Sequence, residues 1–184
     1  MSAVPTKTLP DAGVWKLDPN HTSVAFVARH LMIHKVRGTF GDVTGQVTIG
    51  DEPESSRVDV IIGVASIDTG AADRDAHLRS ADFFDVEHFP AMRFVGSGVD
   101  RSGDGWALSG DLTIKDVTRP VVLDLTFEGV VQDPWGTPHA AFTARAEVDR
   151  EGWGLTWNVA LEAGGWLVSK TAVIEIEAEI VPAG

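Results

Sequence analysis

The chain has 184 residues and sets 15 Lys+Arg against 27 Asp+Glu, a formal charge of −12. Such a field repels phosphate backbones and anionic headgroups, which argues against nucleic acid as a partner. The absence of cysteine excludes a disulfide framework, a thiol nucleophile and thiolate metal sites, and no stretch approaches the ~20 apolar residues that a spanning helix needs.

MSAVPTKTLPDAGVW begins without a basic cluster or an apolar run of signal-peptide length and carries two early prolines. It reads as a flexible tail over residues 1–12 ahead of one domain over 13–184, and the expected compartment is the cytoplasm. A short first strand is expected around Val14 to Leu17, then a turn at Asp18-Pro19-Asn20. Ser23 to His30 alternates, with Val24, Phe26, Ala28 and His30 on one side; Val43, Gly45, Val47 and Ile49 repeat the pattern. Val58 to Ile67 is apolar on both faces in parts, which predicts a deeply buried strand or one whose outer face meets another subunit.

The later strands are cleaner. Val121, Leu123, Leu125 and Phe127 oppose Asp124, Thr126 and Glu128; Phe142, Ala144, Ala146 and Val148 oppose Thr143, Arg145, Glu147 and Asp149. Ile174, Ile176, Ala178 and Ile180 oppose Glu175, Glu177 and Glu179, so a slip of one residue would bury a row of carboxylates. The count comes to about eight antiparallel strands, the size at which a closed barrel can hold one small ligand. Small residues at Gly45, Gly96, Gly98, Gly110, Ala140, Ala144 and Ala146 on dry faces either leave interior space or make room for bulky neighbours.

One helix interrupts the strands, near residues 71–80. Thr69 is placed to cap it, with Asp73 and Asp75 at its positive end and His77 and Arg79 at its negative end. Phe83, Phe84 and Phe89 follow and close one end of the barrel or line the entrance to a cavity. No pair among six histidines makes a zinc motif, and the chain has no G-x-S-x-G elbow, dinucleotide fingerprint or P-loop. No metal, cofactor or catalytic set is therefore expected. Trp106, Trp135, Trp153, Trp157 and Trp166 adjoin glycines and turns and read as hairpin-end packing ahead of ligand contacts.

Four strings carry a resemblance: HTSVAFVARHLMIHKVRGTFGDVTG at 21–45, DAHLRSADFFDVEHFPAMRF at 75–94, LTIKDVTRPVVLDLTFEG at 112–129 and GLTWNVALEAGGWLVS at 154–169. Together they resemble the YceI-like family of polyisoprenoid-binding proteins, from Trp15 onwards. The resemblance implies a lipocalin-like antiparallel barrel around a long isoprenoid or other amphiphilic lipid, often as a homodimer, without a catalytic reaction. Trp166 and Lys170 depart from the family's pattern, which sets a smaller apolar residue and an acid at these places. The wall candidates are Phe26, Phe94 and Phe127, placed on dry faces by strand parity, with Phe40, Phe83 and Phe84, placed by their nearness to loops and lid. His30 and Arg37 are the polar candidates for a headgroup. Two other readings are an enzyme using His30 as acid or base on a hydrophobic substrate, and a solid-cored stress-response protein.

Overall fold

A computed structural model describes residues 8–184. Eleven strands follow one another: β1 (Gly13–Leu17), β2 (Ser23–His30), β3 (His34–Phe40), β4 (Val43–Ile49), β5 (Arg57–Gly63), β6 (Ile67–Asp68), β7 (Ala91–Ser102), β8 (Gly105–Ile114), β9 (Val117–Gln132), β10 (Pro138–Asp149) and β11 (Thr171–Pro182). The α-helix, α1, spans Ala72–Arg79 between β6 and β7. All pairings are antiparallel, and β1 bonds to both β4 and β11. β1, β4, β5, β7, β8, β9, β10 and β11 therefore close into an eight-stranded, lipocalin-like barrel.

The ring stays closed while the sheet branches, because β11 is 12 residues long and hosts two partners along the edge opposite β10. Ile180 and Val181 pair with β1, whereas Val173 to Glu177 pair with β2. β3 and β6 then extend the sheet beyond β2. This branch holds α1 over one end of the barrel, where the Arg79 guanidinium donates to the carbonyls of Ala65 and Ile67 at 2.9 and 2.8 Å.

Two local expectations change. The stretch from Val58 to Ile67 is not one strand: β5 ends at Gly63, a 3-10 turn covers Val64–Ser66, and only Ile67–Asp68 resume pairing. The reason is close approach, since a Cβ at Gly63 would lie 2.1 Å from the Asp42 carboxylate, and the Gly63 N–H donates to the Asp42 carbonyl at 2.8 Å. Thr69 does not cap α1. Ala71 holds that position, and Thr69 instead gives its N–H and hydroxyl to the Asp75 carboxylate at 2.9 and 2.6 Å. A carboxylate one turn in reaches back and satisfies the chain that precedes the helix, with the capping roles reversed.

The glycines do not create the interior space. A Cβ at Gly110 would meet the Phe94 ring at 2.5 Å and the Val95 carbonyl oxygen at 2.6 Å; at Gly45 it would meet Leu17 and the Asp59 backbone at 2.9 Å. Gly38 is covered in the same way by the Phe26 ring at 2.4 Å. Each glycine lies beneath a large neighbour, the pairing by which aromatic rings cover glycines in strongly coiled sheets.

Candidate functional site

The space inside comes from the alanines and from the diameter of the barrel. Ala144 on β10 faces Leu125 across β9 and Ile176 across β11, and Ala28, Ala172 and Ala178 add further short side chains to the same wall. They surround a cavity of about 840 Å³, towards the upper end of the ~300–1,000 Å³ range of small-molecule sites. Its wall runs from Leu9–Ala12 and the Gly50–Ser56 loop at one end to α1 and Phe83 at the other. Pro10, within the tail expected over residues 1–12, is buried there; residues 1–7 of that tail lie outside the described residues.

Of the eight residues singled out from sequence, six line this cavity: Phe26, His30, Phe40, Phe83, Phe84 and Phe94. Phe40 joins the strand wall to the lid, with ring centroids 6.0 Å from both Phe26 and Phe84. Two residues lie elsewhere. Phe127 is buried against its cross-strand partner Phe142, with ring centroids 5.2 Å apart, and of the two only Phe142 lines the cavity. Arg37 points outward and pairs with Glu175, because β3 turns Val36, Gly38 and Phe40 inward and its odd-numbered residues to solvent.

Sequence reasoning also missed contributors. Trp106, Trp153 and Trp157 line the cavity, and the Trp153 indole N–H donates to the Leu112 carbonyl at 2.9 Å. Trp157 stacks edge-on with His77 at 4.5 Å and lies 5.4 Å from Phe83, so the lid is an aromatic cluster anchored by the His77–Asp82 contact of 2.9 Å. Trp135 and Trp166 are exposed, and Lys170 pairs with Glu151 at 3.1 Å. Arg150, buried in the 3-10 turn Arg150–Trp153, also reaches the wall. Gly154 closes that turn at φ 76°, a left-handed conformation that favours glycine.

A separate polar cluster sits outside the wall. Asp18, His21 and Glu179 bring their polar atoms within 4.8 Å of one another. His139 bridges Glu179 at 2.5 Å and Asp133 at 3.3 Å. Hydrogen bonding to Glu179 raises the His139 pKa against the opposing effect of burial, with Asp133 adding to the rise. Because the folded pKa lies above the unfolded value, the stabilisation is fully present below about pH 6.5 and is lost as pH rises through the folded pKa. Thermal unfolding of His139→Gln beside the wild type should show the largest gap in Tm at low pH and a shrinking gap above neutrality; a gap that does not change with pH contradicts this.

A closed antiparallel barrel around an apolar cavity, lidded by one short helix, defines a lipocalin-like binding architecture. The chain belongs to the YceI-like family, whose model, the YceI-like domain, matches residues 15–180. It is 38% identical over 151 residues to a UPF0312 protein of Serratia proteamaculans, covering 80% of this chain and 79% of that one. It is 36% identical to Protein YceI of Salmonella newport, with the same coverage of both chains. Among solved structures, the Campylobacter jejuni YceI protein superposes with a TM-score of 0.71 at 27% identity, over 85% of this chain and 90% of that one. A polyisoprenoid-binding domain from Saccharophagus degradans shares the fold, with a TM-score of 0.69 at 13% identity over 91% and 98% of the two chains. No helix among the described residues is long and apolar enough to cross a membrane.

Proposed function

We propose that this protein binds a long-chain isoprenoid lipid, such as a polyprenyl phosphate or an isoprenoid quinone, and carries or stores it without chemical change. The observation that supports the reading best is the size of the cavity together with its apolar wall. Apolar side chains around an unfilled cavity lose packing partners on their lumen side. Water is a poor filler, because it needs polar partners that Val60, Ile62, Leu108, Leu123 and Ile174 do not offer. A hydrocarbon tail recovers ~0.8 kcal/mol for each buried methylene.

The neighbouring fold of the Saccharophagus degradans polyisoprenoid-binding domain agrees with this choice of ligand. An acid–base role for His30 lacks support: its ring lies on the wall with no carboxylate paired to it among the described residues. The solid-cored alternative conflicts with the cavity itself. A homodimer belongs to the same proposal, through the outer face where Ile61 and Val95 are 47% and 40% exposed. The test is organic extraction of protein purified without detergent, followed by mass spectrometry. About one lipid per barrel with isoprenoid mass spacing is expected; no recovered lipid, and no uptake of added polyprenol, would overturn the proposal.

A further inference from the structure

The charged residues of the cavity wall stand at its ends, and the ends differ in charge. Asp11 and Asp51 stand at the end formed by the N-terminal segment and the Gly50–Ser56 loop. Arg29, Arg74 and Arg150, with His30 and His77, stand at the end under α1 and oppose only Asp73 among the lining residues. Arg29 and Arg74 are exposed, and their guanidinium groups donate to the Ile33 carbonyl and to Thr69.

Arg150 differs from the other two in being 6% exposed. Its Nε donates to the Ser169 carbonyl at 2.8 Å, and Nη1 donates to the Leu155 carbonyl. Nη2 is buried and has no partner. Both acceptors are neutral, and Arg150 forms no ion pair among the described residues: Glu151 is taken by Lys170 at 3.1 Å, and Asp149 accepts the Glu151 N–H at 3.0 Å. Burial pulls the Arg150 pKa down, with Glu151 and Asp149 acting against that shift. The Phe83 ring lies 6.0 Å from the guanidinium carbon, and both residues line the cavity.

A buried cation without a direct ion pair is costly, and it leaves one N–H free for an acceptor that the polypeptide does not supply. We propose that Arg150 receives the oxyanion head of an acidic amphiphile, a phosphate or a carboxylate, with the tail running down the barrel towards Leu9–Ala12. This rests on the lipid-binding reading above and adds to it a preference for anionic heads. Nη2 donates to the oxyanion. Arg29 supports the same end, since its backbone exchanges hydrogen bonds with Ser169, the residue whose carbonyl holds Arg150. A guanidinium suits this role because it stays charged when buried and bonds oxyanions through a fixed planar fork.

The test compares geranylgeranyl phosphate with geranylgeraniol, two probes with one tail, on delipidated protein. The wild type should bind the phosphate at least about tenfold more tightly than the alcohol. Arg150→Met should reduce that preference to within about twofold while the alcohol binds as before, and Arg37→Gln, outside the wall, should leave it intact. Arg150→Lys, which keeps a charge but not the fork, should fall between, and it serves if the methionine variant does not fold. Equal affinity of the wild type for both probes, or an undiminished preference in a folded Arg150 variant, overturns the inference alone. Binding of neither probe overturns the lipid-binding reading with it.

Discussion

Replacing Ala144 and Ala178 together with phenylalanine is expected to abolish uptake of polyprenol while leaving the barrel folded. Both alanines line the cavity on adjacent strands, Ala144 facing Ile176 and Ala178 facing Phe142. Two rings placed there project into the lumen instead of into packed neighbours. Overpacking a filled core typically costs ~1–3 kcal/mol. Here the added surface fills open volume, so the loss should fall below that range, and burial of the rings should offset part of it. The measurement is a titration with polyprenol beside the wild type, with unfolding followed in parallel. Normal uptake by the double variant would mean that the tail does not occupy this cavity.

The second large effect concerns stability. Gly110→Ala should cost at least about 2 kcal/mol, because the new Cβ would lie 2.5 Å from the Phe94 ring and 2.6 Å from the Val95 carbonyl oxygen. The ring can turn, but the backbone oxygen belongs to the β7–β8 ladder and cannot move without breaking it. Gly110→Ala combined with Phe94→Ala should therefore not recover the stability, and it adds the loss of a buried aromatic side chain, ~3–5 kcal/mol in typical cores. At Gly98 a Cβ would lie 3.7 Å from Ser109, an ordinary contact, so alanine there should be nearly neutral. Denaturant unfolding of these variants tests the contrast, and equal effects at Gly110 and Gly98 would contradict it.

This glycine pattern also explains what was legible in the sequence. Where a strand keeps one dry and one wet face, period-two alternation located it closely: Ser23 to His30 coincides with β2, and the final alternation falls within β11. β3 was missed because HKVRGTF places Gly38 where an apolar side chain would mark the inner face. The ring that fills that place belongs to Phe26 on the neighbouring strand. Without β3, nothing in the sequence turned Arg37 outward. Phe127 had the right parity and is buried, but it packs against its cross-strand partner Phe142, and that pairing leaves no local mark in the sequence.

Arg150 was hidden for a different reason. Standing between Asp149 and Glu151, it reads as one more surface charge. It is buried only because a 3-10 turn closed by Gly154 folds the segment onto the barrel end, where carbonyls 5 and 19 residues further along the chain accept its N–H groups. The tryptophans follow the same logic. Trp106 and Trp153 do adjoin glycines, as hairpin-end residues do, yet the barrel's ends are also where its cavity is closed, so one position serves both packing and lining.

The most direct measurement is the titration of delipidated wild-type protein with a long-chain polyprenyl lipid, using an isoprenoid quinone that quenches the emission of Trp106, Trp153 and Trp157 on the wall. Saturable quenching at about one lipid per barrel, displaced by polyprenyl phosphate, is the predicted result. A linear, unsaturable response, or none, would contradict the claim that the barrel is built around a hydrocarbon tail.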